Sequence, residues 1–322
     1  MKAVQIAQYG GAEAMNYRDL PDPTPGDGEA VVDVQAIGVN FTDTYSRAGV
    51  NPVPSLPWVI GVEAAGVVRS VGSGVSEVAV GDEVAFCTVP GCYAEQVVAP
   101  AWRLIKRPTG LDARAGAAAM LQGMTAHYLC YSTYAVQRGD RVLIHAGAGG
   151  MGLLLTQMVK QLGGYVFTTV STEAKAELSR GAGADQVILY TQQDFAEEIK
   201  KATNGEGVQV VYDSVGKTTF DQSISSLSRR GHMVLYGAAS GAPPPMDLRV
   251  LANGSLSLTR PGLGDYTADR AELEKRSGDV LRWVQSGDLK LRVEHIFSLA
   301  DAAEAHRQLE DRATTGKLLL IP

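Results

Sequence analysis

The chain contains 322 residues, of which 45% are hydrophobic, 20% are charged and 36 are glycine. At ~150 residues per domain this length predicts about two domains, and the composition excludes disordered and collagen-like proteins. Its 29 lysines and arginines against 35 aspartates and glutamates give a net charge of -6, which argues against nucleic acid or an anionic membrane surface as the principal partner.

Neither the cysteines nor the apolar segments indicate export or membrane insertion. Cys87, Cys92 and Cys130 are too few for a disulfide framework in a chain of this size, which favours a reducing compartment. The first residues lack the apolar core of a secretory signal, and the most apolar stretch, residues 115–130, is interrupted by polar residues and too short to span a bilayer. We therefore expect a cytoplasmic protein.

The order of predicted elements indicates two kinds of domain. Short β-branched runs separated by glycine and proline fill the first hundred residues and predict a compact β barrel or sandwich. Residues 112–131 are alanine-rich, which favours helix, and mark a boundary. From Asp140 onward, apolar strands alternate with amphipathic helices, as in a doubly wound parallel sheet. This alternation stops near residue 245; a final tail, with a strand near Leu291, is expected to return to the first domain.

A glycine-rich segment, HAGAGGMG at residues 145–152, joins a predicted strand to a predicted helix. Gly147, Gly149 and Gly152 satisfy the pattern G-x-G-x-x-G, in which glycine permits a tight turn, close approach of a pyrophosphate and close packing of helix on strand. The amides and the positive helix end then face the phosphates. A tight turn without a ligand is the alternative, but the surrounding β-α-β pattern favours dinucleotide binding.

The end of the second strand in this region predicts which dinucleotide binds. It reads Thr169-Val170-Ser171-Thr172, without the Asp or Glu that NAD-selective sites use to bind the ribose 2′-hydroxyl. Hydroxyls, followed by Lys175, suit the 2′-phosphate of NADP, which a carboxylate would repel. The sequence therefore predicts NADPH. Glu173 is the alternative ribose ligand, although it suits a solvated first helical turn, and Lys175 fits a solvated helix face equally well.

Several longer segments resemble the zinc-independent quinone oxidoreductases of the medium-chain dehydrogenase/reductase superfamily. They are GVNFTDTYSRAG (38–49), PSLPWVIGVEAAGVV (54–68), LQGMTAHYL (121–129), HAGAGGMG (145–152), VVYDSVG (210–216), SLTRPGLGDY (257–266) and RATTGKLLLIP (312–322). The resemblance covers the whole chain and implies a Rossmann doubly wound sheet inserted into a GroES-like β-barrel catalytic domain. The catalytic domain would comprise residues 1–123 and 263–322, and the NADPH-binding domain residues 124–262.

The same resemblance implies the cofactor contacts. Near the nicotinamide it implies Asn40 and Thr125; at the pyrophosphate Gly149, Gly150, Met151 and Gly152; and at the adenosine and its 2′-phosphate Ser171, Lys175, Tyr190 and Arg312. Taken alone, Tyr190 would be an ordinary strand-end aromatic and Arg312 a surface charge.

On the substrate side the resemblance implies Asn40 and Tyr45, with Asp43 nearby and Arg260 as a further candidate. Tyrosine can stack on a flat ring while its hydroxyl bonds to a quinone oxygen; a packed barrel tyrosine is the alternative. Asn51 stands where relatives usually carry a tyrosine, which reduces stacking and changes the substrates expected to fit.

Zinc is not expected, although zinc-dependent relatives share the fold. Those relatives need thiolate and imidazole ligands, but Asn40 and Val62 occupy the positions of their first cysteine and of the histidine in their G-H-E motif. Their four-cysteine lobe is also missing. We expect His127 and His145 to pack in the interior or to hydrogen-bond to the cofactor loop.

Together these inferences predict an NADPH:quinone reductase in which the nicotinamide supplies electrons and Asn40 and Tyr45 hydrogen-bond to the developing oxyanion. The nearest alternative is an NADPH-dependent enoyl or alkenal reductase. A non-catalytic NADPH- or RNA-binding, crystallin-like protein is an alternative of another class. Relatives commonly form homodimers, and SLSLTR at residues 255–260 is the expected edge strand.

Overall fold

The computed structural model describes all 322 residues, Met1–Pro322, as sixteen strands and eight α-helices. The strands are β1 (Lys2–Ile6), β2 (Met15–Asp19), β3 (Glu29–Val39), β4 (Trp58–Val59), β5 (Glu63–Val71), β6 (Glu83–Cys87), β7 (Gln96–Pro100), β8 (Ile105–Lys106), β9 (Arg141–Ile144), β10 (Tyr165–Val170), β11 (Gln186–Leu189), β12 (Val208–Asp213), β13 (Leu227–Leu235), β14 (Ser257–Thr259), β15 (Val293–Ser298) and β16 (Lys317–Ile321). The helices are α1 (Phe41–Ala48), α2 (Ala113–Tyr128), α3 (Gly150–Gln161), α4 (Glu173–Gly181), α5 (Phe195–Ala202), α6 (Phe220–Ser225), α7 (Arg270–Ser286) and α8 (Ala302–Glu310). None of them combines the length and the apolar character needed to cross a bilayer.

Residues 1–124 and 267–322 form the first of two compact units. Its larger sheet runs β15-β16-β3-β5-β6-β8, with β7 also paired to β3, and a smaller sheet runs β2-β1-β4. Alternate residues of the long strands face a common apolar core, as expected of strands with one buried face. Ile37, Val68 and Phe86 are fully or almost fully buried there, together with Leu318 and Leu320 from the last strand.

The C-terminal tail is therefore part of the first unit. β16 pairs antiparallel with β3, with Leu318 opposite Val39. The strand expected near Leu291 is β15, which begins at Val293. Before it, α7 ends at its C-cap Gly287, which adopts a left-handed conformation, and the amide of Leu289 donates to the carbonyl of Trp283 at 2.9 Å.

Residues 125–266 form the second unit. All pairs in its six-stranded sheet are parallel, and the strands run in the order β11-β10-β9-β12-β13-β14. Counted from β9, this is the order 3-2-1-4-5-6 of dinucleotide-binding sheets, with the strand order reversing between β9 and β12. The predicted fold class is confirmed. The chain divides after Met124 and after Tyr266, where the sequence suggested residues 123 and 262.

Candidate active site

The glycine-rich segment forms the turn from β9 into α3. Gly149 is the N-cap of α3, and its amide donates to the carbonyl of Ala146 at 2.9 Å. The amide of Gly147 donates to the carbonyl of Thr169 at 3.0 Å, which ties the loop to β10. Ala146 itself has φ +54, an uncommon conformation for a residue with a side chain. The amides of Gly150, Met151 and Gly152 form the first turn of α3, where backbone N–H groups have no partner within the helix.

The three motif glycines are needed for different reasons. A Cβ on Gly147 would lie 2.6 Å from Cβ of Thr168, and a Cβ on Gly152 would lie 2.3 Å from the oxygen of Ala146. Packing within the unit therefore excludes side chains at both. A Cβ on Gly149 would meet only the oxygen of Ala146, at 3.3 Å. The space at Gly149 is thus open toward the helix N-terminus, and it fits a phosphate group held by the α3 amides.

Ser171, Lys175 and Tyr190 lie at one end of the parallel sheet. Ser171 follows β10, and Tyr190 follows the neighbouring β11, its amide donating to the carbonyl of Val170 at 3.1 Å. Lys175 is in the first turn of α4, whose N-cap Thr172 accepts from the Lys175 amide. This end carries the carboxyl ends of the strands, where ligands of such sheets bind. The three residues predicted for the adenosine and its 2′-phosphate therefore lie at the same end of the sheet.

Glu173, the alternative ribose ligand, is engaged elsewhere. Its carboxylate accepts a hydrogen bond from Arg180 of the same helix at 2.6 Å. Arg180 also pairs with Glu177. The acidic group closest to the end of β10 in sequence is thus partly neutralised within α4, which leaves the edge suitable for an anionic phosphate.

Asn40 lies at the N-cap of α1 and is 4% exposed. Its Nδ2 donates to the carbonyl of Gly38 at 3.2 Å and to Oε2 of Glu63 at 2.8 Å, and its Oδ1 accepts from Nζ of Lys317 at 2.6 Å. Lys317 also donates to Glu63 at 2.6 Å. Both N–H groups of the Asn40 amide are therefore used within the protein, so a further bond to this side chain can only be one that it accepts.

Asp43, in the first turn of α1, is 1% exposed. Its Oδ2 accepts from the backbone amide of Asn40 at 2.8 Å and from the hydroxyl of Tyr93 at 3.2 Å, whereas its Oδ1 is buried without a partner. Burial raises the pKa of this carboxyl to about 7. Asp43 holds the start of α1 in place and is not itself accessible.

Tyr45 is one further turn into α1 and is half-buried. Its ring lies 6.3 Å from that of Phe41, and its carbonyl accepts the amides of Val50 and Asn51. Asn51 is exposed directly after this turn. One short helix, α1 with its N-cap, therefore contains Asn40, Asp43 and Tyr45.

The remaining candidates occupy separate places. Arg260 follows β14 and donates to the carbonyls of Leu235 and Gly237 at 2.9 and 3.1 Å, so that its guanidinium ties β14 to the end of β13. Thr125 is buried in α2. Arg312 lies in the first unit just after α8, with φ +57. His127 is buried and stacks on a tyrosine ring at 4.7 Å.

Comparison with known proteins identifies the family. The alcohol dehydrogenase GroES-like domain matches residues 26–109 and the zinc-binding dehydrogenase family residues 182–320. The chain is 42% identical to a quinone oxidoreductase of Pseudomonas aeruginosa, over 100% of this chain and 99% of that one. The chain belongs to the quinone oxidoreductase family. A 2-haloacrylate reductase of a Burkholderia species is 43% identical, over 99% of this chain and 98% of that one. The crystal structure of the Escherichia coli quinone oxidoreductase complexed with NADPH matches with a TM-score of 0.98 and 40% identity, over all of both chains.

Two residues of this quinone oxidoreductase site were not found by sequence reasoning. Glu63 and Lys317 are both buried, and they bond to Asn40 and to each other. Each is the first residue of a strand that continues with apolar residues, at Glu63–Val71 and Lys317–Ile321. One acidic and one basic residue, each at the start of an apolar run, could have been predicted to pair with each other, because buried charges need partners.

The raised pKa of Asp43 predicts a pH-dependent stability. Between its ordinary pKa of 3.8 and about 7, the folded protein holds a proton that the unfolded chain has released. The free energy of unfolding therefore falls as pH rises through this range. Asp43→Asn removes the titration, so we expect the stability of the variant relative to wild type to increase by about 3 kcal/mol between pH 5 and pH 8.

Urea unfolding followed by tryptophan fluorescence measures this change, because Trp58, Trp102 and Trp283 all lie in the first unit. Asp33→Asn, at an exposed carboxylate paired with Arg69, is the matched control for the loss of a carboxylate in the same unit. An unchanged stability difference between pH 5 and pH 8 would show that Asp43 does not titrate in this range.

Proposed function

We propose that this protein is an NADPH-dependent quinone reductase. One observation carries the proposal: the likeness to the Escherichia coli quinone oxidoreductase complexed with NADPH extends over the whole of both chains, with a TM-score of 0.98. The open space at Gly149 and the positive charge of Lys175, after the end of β10, agree with that cofactor. NADPH, when bound, supplies the electrons that reduce the substrate.

The proposed NADPH contacts are taken unit by unit. The second unit would hold the pyrophosphate at Gly149, Gly150, Met151 and Gly152 through the N-terminus of α3, and the 2′-phosphate through Ser171, Lys175 and Tyr190, with Thr125 near the nicotinamide. In the first unit, the residues proposed from the family resemblance are Asn40 for the nicotinamide and Arg312 for the 2′-phosphate. A bond accepted by Oδ1 of Asn40 suits the N–H of a carboxamide.

Tyr45 is the proposed contact for the quinone. The amide N–H groups of Asn40 are already used by Gly38 and Glu63, which argues against the expected donation from Asn40 to an oxyanion. A half-buried tyrosine offers both a ring face and a hydroxyl donor. Asp43 would act by holding α1, and Arg260 by fixing the ends of β13 and β14. The proton would come from solvent.

The proposal involves no metal, nucleic acid or membrane. At the position of the first zinc ligand of zinc-dependent relatives, Oδ1 of Asn40 is bonded to the ammonium group of Lys317 at 2.6 Å, and a cation there is unfavourable beside a second cation. All three cysteines are buried thiols, which supports the proposed cytoplasmic location.

A C=C reductase is the second candidate. The 43% identity to a 2-haloacrylate reductase over nearly the full length of both chains favours it. A quinone and an alkene conjugated to a carbonyl both develop negative charge on an oxygen when they are reduced, so one hydroxyl donor would serve both reactions.

We further propose that the protein is a homodimer formed through β14. This strand of three residues is at the edge of the six-stranded sheet and pairs only with β13. Pairing with a second copy across a two-fold axis would satisfy its open edge. Light scattering on the purified protein should give twice the mass of one chain, and the mass of one chain would overturn this proposal.

Oxidation of NADPH and NADH by the purified protein tests the proposed function, with 1,4-benzoquinone, a larger naphthoquinone and an α,β-unsaturated ketone as acceptors. We expect turnover of quinones with a preference for NADPH. Turnover of the ketone alone would support the second candidate, and a preference for NADH would contradict the assignment of Ser171 and Lys175.

Lys175→Ala makes this assay specific for the 2′-phosphate. Loss of a charged hydrogen bond corresponds to about a 10- to 100-fold higher KM for NADPH, while the KM for NADH should change little. Lys201→Ala, at an exposed lysine paired with Glu198 on α5, is the control. Equal effects of Lys175→Ala on both cofactors would exclude a role in recognising the 2′-phosphate.

Tyr45→Phe tests the substrate contact. The variant keeps the ring and removes the hydroxyl donor, so kcat for quinones should fall by about tenfold or more while the KM for NADPH is retained. Tyr17→Phe, at an exposed tyrosine of β2, controls for loss of a tyrosine hydroxyl elsewhere. Unchanged quinone turnover in Tyr45→Phe would remove Tyr45 from the mechanism.

A further inference from the structure

Four buried polar side chains form a continuous hydrogen-bonded chain in the second unit. Nδ1 of His145 is 2.9 Å from the hydroxyl of Thr169, Nε2 of His145 is 2.9 Å from the hydroxyl of Ser223, and that hydroxyl donates to Oδ2 of Asp213 at 2.9 Å. None of the four residues is more than 2% exposed. We call this set, Thr169, His145, Ser223 and Asp213, the buried chain.

The Asp213 carboxylate at one end of the buried chain determines which group donates in each hydrogen bond. The carboxylate of Asp213 only accepts, so Ser223 must donate to it and therefore accepts from Nε2–H of His145. Burial lowers the pKa of His145, and the neutral ring then accepts at Nδ1 from Thr169. Every member thus has one defined role, and the imidazole has one tautomer.

This arrangement differs from a hydrolytic triad, although it contains Ser, His and Asp. In a triad the serine hydroxyl bonds to histidine, and histidine to aspartate. Here the hydroxyl of Ser223 lies between His145 and Asp213 and donates to the carboxylate. Ser223 is also fully buried, so it cannot attack a substrate.

The position of the buried chain points to its role. His145 follows β9, Thr169 is near the end of β10, and Asp213 is the last residue of β12, and these three strands are neighbours in the sheet. The buried chain therefore crosses the place where the strand order reverses, close to the end of the sheet where ligands of such folds bind.

Residues of the buried chain also adjoin the glycine-rich loop and bond to its backbone. His145 directly precedes Ala146, with its uncommon φ of +54, and the carbonyl of Thr169 accepts the amide of Gly147 at 3.0 Å. Oδ1 of Asp213 accepts the amides of Val215 and Gly216. One side-chain network thus fixes the loops that follow three adjacent strands.

We propose that His145 is a positioning residue for the dinucleotide: through Thr169 and Ser223 it holds the glycine-rich loop in the conformation that receives the pyrophosphate. The inference rests on the proposed function, because it assumes that the loop binds a reduced nicotinamide dinucleotide. The pyrophosphate is common to NADPH and NADH, so the buried chain affects both cofactors, unlike Lys175.

Equilibrium binding of NADPH and of NADH, followed by nicotinamide fluorescence, tests this role without turnover. Thr169→Val and Ser223→Ala each remove one hydroxyl of the buried chain. We expect each to raise Kd for both cofactors by about 3- to 10-fold. The double variant should raise Kd by less than the product of the two effects, because both hydroxyls act on one imidazole.

Thr203→Val is the matched control. Thr203 is also a buried threonine of the second unit, and its hydroxyl accepts the amide of Gly207 at 2.9 Å, just before β12 begins and so at the opposite end of the sheet. The Thr203→Val variant should lose thermal stability as the other variants do, while its Kd values stay those of wild type.

If Ser223→Ala does not fold, because Asp213 is left with one partner fewer, Thr169→Val alone decides the question.

Wild-type Kd values in a folded Thr169→Val variant would overturn the inference, as would equal weakening in Thr203→Val. A larger effect on NADPH than on NADH would also contradict it, since that result would assign Thr169 to the 2′-phosphate. Failure of the wild-type protein to bind either cofactor would instead overturn the proposed function, and the inference with it.

Discussion

The ion pair between Lys317 and Glu63 joins parts of the first unit that are 254 residues apart in sequence. Both side chains are removed from solvent, and a charge buried in this way is stable only while it is paired and hydrogen-bonded. Glu63 also accepts the amide of Leu121 from α2, and the same pair fixes the amide of Asn40 at the start of α1. The strands β16 and β5 and the helix α1 therefore depend on one another through a single polar cluster.

A neutral histidine connects secondary-structure elements in each unit. In the first unit, His306 of α8 lies 2.9 Å from Arg47 of α1 and 2.9 Å from the hydroxyl of Tyr93, which donates to Asp43. Burial and the adjacent Arg47 lower the pKa of His306 to about 3. A neutral imidazole has one donor and one acceptor at a fixed separation, so a buried histidine can hold two neighbours in a defined orientation without a charge of its own.

Local patterns in the sequence were sufficient to predict a doubly wound parallel sheet next to a β domain, and the family resemblance added the GroES-like class, whereas the cofactor contacts remain a prediction. Two short segments contain the glycines Gly147, Gly149 and Gly152 and the residues after β10. The backbone geometry of each segment is largely determined by its own residues. The roles of Glu63 and Lys317, and the use of the Asn40 amide within the protein, depend on contacts across hundreds of residues, which no local pattern specifies.

The pairing of β16 with β3 has a consequence for synthesis of the chain. Residues 125–266 form a unit that is continuous in sequence, so this unit can fold while residues 267–322 are still being made. The first unit contains β3 from early in the chain, yet its sheet and its buried lysine are completed only when residues 317–321 have left the ribosome. During elongation the apolar face of the N-terminal strands therefore remains partly uncovered, and Glu63 lacks its counter-charge until Lys317 has been added.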